Sequence, residues 1–162
     1  MSRVQAGLVL LAVVALLYVL MWWGWRKRAR KHELPPLHPV PEMAGAQLRA
    51  GQGRYFGSTV SGDWLDRVVA QSLGNRSDCT LKLTADGLEV ARPRLGAFHI
   101  PKNQLRGVRT ETGIAGKVIP PHGVLVVTWQ HGDLVLDSGF KLDAGDHDGW
   151  VEALNLVKEK QS

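Results

Sequence analysis

The chain opens with an almost unbroken apolar segment. From residue 4 to residue 25 nearly every position is apolar, and Gln5 is the one strongly polar residue. A helix of this length reaches about 33 Å at about 1.5 Å per residue, enough to cross a hydrocarbon core of about 30 Å. The apolar positions surround the whole helix, so neither an amphipathic surface helix nor a helix packed on a soluble domain fits. The pattern predicts a transmembrane helix over residues 4–25.

A cleaved signal peptide is the main alternative for this segment. Only Arg3 precedes the apolar run, and the run is longer than the apolar core of most signal peptides. The sequence WWGWR at residues 22–26 is also a poor cleavage site. These features favour a retained anchor.

Aromatic and basic residues gather at the C-terminal end of the predicted span. Tryptophan rings prefer headgroup depth, and Lys and Arg are enriched on the cytoplasmic side of a span. Five basic residues follow the span and one precedes it, which predicts a cytoplasmic C-terminal side, residues 1–3 outside, and a single-pass plasma-membrane protein. The basic cluster is also compatible with attraction to anionic lipid. The predicted anchor residues are Trp22, Trp23, Trp25, Arg26, Lys27, Arg28, Arg30 and Lys31.

Four prolines, at positions 35, 36, 39 and 41, follow within a short stretch. Proline removes a backbone donor and favours extended neighbours, which is typical of a semi-rigid spacer. We assign residues 26–45 to a basic and Pro-rich juxtamembrane linker. Residues 46–158 have the size of one domain, and residues 159–162 form a tail.

Short alternating segments run through most of the predicted domain, separated by turn signals such as Asp86-Gly87. One segment differs: Leu65, Val68, Val69 and Leu73 recur at helical spacing, which predicts a short helix capped by Asp63 and ended by Gly74-Asn75. A long loop is expected over residues 113–123. The predicted strands are residues 54–60, 79–84, 88–91, 97–101, 105–112, 124–130 and 134–140.

The chain closes with an amphipathic helix. Asp146 is its candidate N-cap, and Trp150, Leu154 and Val157 lie on one apolar stripe that we assign to packing. The prediction is an α+β domain: a seven-stranded antiparallel sandwich or partly open barrel, capped by the C-terminal helix.

Seven strands and a capping helix with Trp150 in its first turn resemble the pleckstrin-homology (PH) superfold. A single span followed by such a domain is similar to small bacterial membrane proteins of actinobacterial type, often labelled "PH-like domain" or "transporter". The resemblance implies a binding or scaffolding role. Inositol-phosphate-binding PH domains cluster basic residues between their first two strands. Here Arg67 and Arg76 are accompanied by Asp63, Asp66 and Asp78, so phosphoinositide binding does not carry over.

The net charge of +5 belongs to the membrane-proximal part of the chain. Residues 1–31 hold six basic residues and no acid, and the remainder holds fourteen basic and all fifteen acidic residues. A near-neutral domain argues against nucleic-acid binding. The single cysteine, Cys79, suits a reducing compartment and is expected to be a buried small side chain.

Motifs that carry chemistry are not found in the sequence. The stretch from Gly113 through Gly116 to Lys117 has neither the spacing nor the Ser/Thr of a phosphate-binding loop. Asp143, Asp146 and Asp148 lack the spacing of a calcium loop. The histidines are scattered without metal-ligand spacing. We therefore predict no catalytic residue, cofactor or metal, and no enzyme.

The charges of the domain divide along the sequence. Residues 92–117 hold six basic residues and one acid, whereas residues 133–152 hold six acids and one basic residue. If this division survives folding, the basic stretch forms a candidate binding face. The leading hypothesis is a binding or scaffold module for a protein partner. The alternatives are recognition of anionic lipid by this face, or an accessory subunit of a larger membrane complex. The candidate face is Arg92, Arg94, Lys102, Arg106, Arg109 and Lys117.

Overall fold

The computed structural model of the chain describes residues 2–30, 33–43, 45–114, 117–118 and 123–160. The chain divides into two compact units, Met1–Glu33 and Leu34–Ser162. Each unit is described by itself.

The first unit is one apolar helix, α1 (Arg3–Arg30). An 18-residue window within its segment Arg3–Lys27 has a mean hydropathy of 2.5, and the side chains from Val4 to Lys27 are exposed. The predicted helix is therefore confirmed, and it extends beyond the predicted C-terminal end. By length and composition it is able to cross a membrane, a property that signal sequences share.

The second unit contains every predicted strand and the C-terminal helix, so the predicted fold class is confirmed. Its first strand begins at Gln47, earlier than the predicted residue 54. The strands are β1 (Gln47–Val60), β2 (Asp63–Arg67), β3 (Ser77–Thr84), β4 (Gly87–Arg92), β5 (Gly96–Pro101), β6 (Leu105–Glu111), β7 (Gly113–Ile114), β8 (Lys117–Val118), β9 (Val124–His131) and β10 (Leu134–Leu142), and the helix is α2 (His147–Glu159).

The main sheet is antiparallel with the strand order β5-β4-β3-β1-β10-β9-β6, and β2 pairs with β1. In the described residues β5 and β6 lie at the two ends of this order, so the sheet is not closed. The long β1 joins its two halves: Gln47–Tyr55 pairs with β3, and Gly53–Val60 pairs with β10. A register shift between Tyr55 and Gly57 marks a bulge, and Gly57 has a φ of 104°, which glycine adopts without steric cost.

The core follows from the alternation of side chains along the strands. In β3, Cys79, Leu81 and Leu83 are buried, and Thr80 between the first two is exposed. The near-continuous apolar run of β9 is buried at almost every position, as expected for an interior strand.

Helix α2 covers this core with the apolar stripe predicted for it. Trp150, Leu154 and Val157 are buried in the core cluster, and α2 packs mainly on β6. The Asp146 carboxylate accepts a hydrogen bond of 3.2 Å from the amide of Gly149, which caps the helix.

The helix predicted after Asp63 is wrong. The segment forms β2 instead, followed by one 3-10 turn at Ala70–Ser72. Gln71 and Ser72 have φ values of 54° and 60°, which an α-helix cannot accommodate. The Asp63 carboxylate accepts from the amide of Leu65, two residues on, and so forms a local turn rather than a helix cap. Leu65 is 67% exposed, so the apolar spacing reflected no common buried face.

The loop predicted over residues 113–123 contains a short hairpin. Gly113–Ile114 pairs with Lys117–Val118. Residues 115–116 and 119–122 lie outside the described part of the chain.

The segment predicted as a spacer contributes side chains to the folded domain. Leu34 and Leu37 pack against the core cluster, and the Gln71 side-chain oxygen accepts a hydrogen bond of 2.7 Å from the amide of Leu37. We call residues 34–40 the strap. Extended proline-containing backbone is suited to lying along a surface, because its polar groups form no hydrogen bonds within the segment.

Candidate functional site

Arg92, the first member of the predicted basic face, lies inside the domain. It is 4% exposed, and its guanidinium stacks over the rings of Tyr55 and Phe98 at 5.5 and 4.9 Å. The guanidinium donates to the carbonyls of Ser72, Leu95 and Gly96. Burial lowers the pKa of Arg92. We remove Arg92 from the face, because its donors are used internally to hold three backbone segments together.

Arg109 is held by acids of neighbouring strands. It donates to Asp137 at 3.0 Å and to Glu111 at 2.7 Å. Burial lowers the pKa of Arg109, but the hydrogen bonds with these two carboxylates outweigh it and raise the pKa overall. Because β6 and β10 both pair with β9, the basic and acidic stretches of the sequence meet in space. The charge division along the sequence does not persist at this point of the fold.

The other members of the predicted face occupy separate elements. Arg106 is exposed and donates to the side chain of Gln130 at 2.8 Å, and Lys102 begins a 3-10 turn after β5. Arg94 lies in the turn between β4 and β5. The side chain of Lys117 lies outside the described residues. The face as a set stays a prediction, reduced to Arg94, Lys102, Arg106 and Lys117.

Three arginines instead line one open cleft of about 940 Å³. Arg67 comes from the end of β2, Arg76 precedes β3, and Arg94 comes from the β4–β5 turn. We call this the arginine cleft. Its lining is Arg67, Gly74, Asn75, Arg76, Ser77, Asp78, Pro93, Arg94 and Leu95.

Local backbone structure positions these arginines. The Arg67 guanidinium donates to the carbonyl of Gly74 at 3.0 Å, which joins the end of β2 to the segment before β3. Arg94 has a φ of 68°, a left-handed conformation that costs a non-glycine residue about 1 kcal/mol. The hydrogen bonds of Arg92 to the two residues after Arg94 fix this turn. Strain of this kind is found where surrounding structure fixes a side chain for a function.

The cleft carries excess positive charge. Its one acid, Asp78, pairs with Arg54 at 3.5 Å between Nε and Oδ1. Arg67 and Arg76 lie close together in the sequence, whereas Arg94 joins them only in the folded domain. No local pattern could have predicted this, because the proximity depends on the sheet order β5-β4-β3-β1.

A second, smaller depression of about 390 Å³ includes another part of β2. It is lined by Trp64, Ile114, Arg109, Glu111 and Asp137, among others. Trp64 is 48% exposed, a large apolar surface for a side chain on a short strand. The strand β2 therefore supplies an arginine to one depression and a tryptophan to the other.

The groups best suited to chemistry are buried and protonated. Burial is the largest cause that raises the pKa of the Cys79 thiol to about 12 and that of the Tyr55 phenol to about 12. The Tyr55 hydroxyl lies 2.6 Å from the Ser58 hydroxyl and donates to the carbonyl of Leu73. Among the described residues, no three His, Cys, Asp or Glu side chains come together as a metal site. These polar groups have structural roles.

The predicted anchor residues lie at the C-terminal end of α1. The Arg26 guanidinium lies 5.1 Å from the centre of the Trp22 ring, and Trp23, Trp25 and Lys27 are exposed. The backbone of Arg28 and Arg30 is helical, but their side chains and the whole of Lys31 lie outside the described residues.

A comparison with protein families places the domain. Residues 34–155 match the model of a family described as "Bacterial PH domain-like". The match begins at the first residue of the strap and ends within α2. No curated protein matches the chain.

Proposed function

The chain belongs to the bacterial PH domain-like family, and we propose that it is a membrane-anchored, non-enzymatic module that binds a protein partner in the cytoplasm. In this proposal α1 spans the plasma membrane once, and the basic residues after it keep the domain on the cytoplasmic side. We also propose that the protein is one of the small membrane proteins of actinobacterial type that it resembles in sequence. A single helix offers no transport pathway, so the proposal does not include transport.

The observation that carries the proposal is the arginine cleft. Three arginines from separate segments line one opening, and the backbone of one of them, Arg94, is in a left-handed conformation. Guanidinium groups pair with carboxylates through two parallel hydrogen bonds, which gives geometric specificity as well as attraction. We infer that the partner presents acidic side chains to this cleft.

The surface around the cleft favours a protein over a bilayer. Arginine and tryptophan are the residues most enriched where protein partners bind, and β2 presents both. The same strand also carries Asp63 and Asp66, and Asp78 lines the cleft. A planar anionic membrane surface would meet these acids together with the arginines, whereas a protein partner is able to place its acidic side chains at the arginines alone. The lipid alternative loses further support because Arg92 is buried and Arg109 is paired with acids.

Site-specific photocrosslinking tests the proposal. A photoreactive residue replaces Asn75, an exposed residue of the cleft lining, in the full chain within its own membranes. The matched control replaces Leu156, an exposed residue of α2. We expect a discrete protein adduct from position 75 that is absent from position 156.

Charge reversal identifies the groups responsible. Arg94→Glu in the position-75 background is expected to remove the adduct, and Lys160→Glu, at an exposed lysine outside both the cleft lining and the predicted face, is expected to keep it. Adducts with lipid alone at position 75 would support the lipid alternative and contradict the proposal. Identical adducts from positions 75 and 156 would contradict both.

A further inference from the structure

The strap is bound to the domain through polar contacts in addition to the packing of Leu34 and Leu37. The Gln71 amide donates to the carbonyls of Leu34 and Pro35, and its oxygen accepts from the amide of Leu37. The ring nitrogen Nε2 of His131 lies 2.7 Å from the carbonyl of Pro35. Because that carbonyl only accepts, Nε2 of His131 must carry the proton.

His131 is buried where the strap meets β9. It is 1% exposed, and its ring lies 5.3 Å from that of Trp129 and 5.8 Å from that of His38 on the strap. Its other ring nitrogen, Nδ1, is buried and has no hydrogen-bond partner within the described residues. A second proton on this ring would therefore place an unpaired N–H and a positive charge in the interior.

His99 on β5 is a second buried histidine beside the strap, joined to it through its backbone. It is 6% exposed, and its backbone amide donates to the carbonyl of His38 at 2.9 Å. Its Nδ1 is also buried without a partner in the described part of the chain. The Gln104 amide nitrogen lies 3.0 Å from Nε2 of His38, so the strap histidine contacts Gln104 and the ring of His131 through its side chain and His99 through its backbone carbonyl.

The charged groups around the two histidines differ. Glu89, opposite His99 in the sheet, and Asp86 favour a proton on His99, whereas His38 opposes it. Lys82 lies 3.9 Å from the Glu89 carboxylate and partly offsets its negative charge. For His131, the Pro35 carbonyl favours a proton and His38 opposes it. Burial is the largest cause in both, and the pKa of each histidine lies below its ordinary value.

We propose that the strap is an acid-released clasp, in which protonation of His131 and His99 frees residues 34–40 from the domain. With the strap bound, both rings are neutral and closed off from water. With the strap released, both rings are exposed to water and are able to take up protons at an ordinary pKa of about 6.5. The released state therefore binds more protons.

The sign of the pH dependence follows from this difference. Strap binding is complete above about pH 6.5 and weakens as the pH falls toward the lowered pKa values of the bound state. Each histidine weakens the binding equilibrium by up to about thirtyfold between neutral pH and pH 5, because its free pKa is about 1.5 units above that pH. The two contributions multiply when both rings become protonated on release.

Release of the strap lengthens the tether of the domain, if α1 anchors the chain as proposed above. Release would add the seven residues 34–40 to the free chain before the domain, which is about 23 Å when fully extended at about 3.3 Å per residue. The clasp would thus control the length of the tether that carries the binding module.

Distance measurements between paired spin labels test the clasp in the full chain, in nanodiscs of neutral lipid. Cys79 is replaced by alanine, and labels are attached at Pro36→Cys on the strap and Glu152→Cys on α2, both exposed positions. We expect one narrow distance distribution at pH 7.5 and a broad, longer one at pH 5. The control pair, Ala97→Cys with Glu152→Cys, lies within the domain and is expected to remain narrow at both values.

Two variants distinguish release of the strap from a general loss of structure of the domain at low pH. The double change His99→Gln and His131→Gln removes both titrating groups and is expected to keep the narrow distribution at pH 5. Gln71→Ala leaves the histidines in place, and it is expected to move the release midpoint to a higher pH.

Three outcomes would overturn the clasp: a narrow wild-type distribution at pH 5, equal broadening in the double variant, or broadening of the control pair. The experiment involves neither a partner nor the arginine cleft. Its failure is therefore distinguishable from failure of the photocrosslinking.

Discussion

Arg92 and Arg94 are two residues apart at the same turn, and the fold gives them opposite roles. Arg92 ends β4 with its side chain inside the domain, where it holds three carbonyls and two aromatic rings. Arg94 is exposed in the turn and lines the cleft. A basic stretch in a sequence is therefore not always a basic surface. Arg92 stabilises the turn from inside the domain, and Arg94 is exposed where the proposed partner would bind.

Among the interior residues, replacement of Trp150 is expected to lower the stability of the domain the most. Trp150→Ala leaves a cavity under α2 and should lower the free energy of unfolding by about 3–5 kcal/mol. Trp64→Ala, at a half-exposed position, should change it by less than about 1 kcal/mol and weaken the cleft adduct if β2 contributes to the interface. Urea unfolding measures both. Equal losses would show that β2 is as much a part of the core as α2.

Removal of the interior arginine, Arg92, should lower the free energy of unfolding somewhat less than removal of Trp150. Arg92→Ala removes a buried side chain that donates to three part-buried carbonyls and stacks on two aromatic rings, and is expected to lower the free energy of unfolding by about 3 kcal/mol. Arg94→Ala serves as the control and should change it by less than about 0.5 kcal/mol. A small effect of Arg92→Ala would mean that water replaces the guanidinium, and the comparison would then fail.

Acid should weaken the interior and leave the cleft unaffected. The pKa values of His99, His131 and His147 are lowered, in each case chiefly by burial. Nε2 of His147 accepts a hydrogen bond of 3.1 Å from the amide of Leu142, which requires a neutral ring. Each ring binds a proton more readily when unfolded, so stability should fall as the pH drops below about 6.5. Urea midpoints from pH 7.5 to pH 5 measure this, and His147→Gln should reduce the slope. A flat profile would contradict the expectation.

The smallest change expected in the free energy of unfolding is an increase. Arg94→Gly relieves a left-handed backbone and should raise the free energy of unfolding by at most about 1 kcal/mol, offset in part by the greater freedom of glycine in the unfolded chain. The same variant should weaken the photocrosslinked adduct, because it removes one of three guanidinium groups. Higher stability together with weaker binding would establish that the strain at Arg94 serves the cleft. A loss of stability would mean that the Arg94 side chain packs on the domain.

The predicted strands and the final helix agree with the structure because their signals are local. Alternation in residues 79–84, the Asp86-Gly87 turn and the stripe around Trp150 are each contained in about ten residues. The prediction of a helix after Asp63 was wrong because it also relied on a local signal. Its spacing was helical, but Gln71 and Ser72 adopt left-handed conformations set by partners elsewhere, including Leu34 and Leu37 on the strap. No short window of sequence contains those partners.

The site was less predictable than the fold. Arg94 meets Arg67 only through the pairing of β3 with both β1 and β4, and Arg109 meets Asp137 only across β9. The strap was expected to be a spacer because its prolines are typical of one, while its two leucines carried the packing. In each case the deciding contact joins residues far apart in the chain.

The pairing of β1 with β10 has a consequence for how the protein is made. Gly53 lies opposite Leu142, so the pairing of β1 with β10 cannot be completed until residue 142 has left the ribosome. Contacts of such long sequence separation slow folding, typically to milliseconds or seconds. Until then β1 exposes an unpaired edge, which is prone to association with other chains. We therefore expect nascent chains truncated before residue 134 to aggregate or recruit chaperones, even though β3, β4 and β5 are already able to pair.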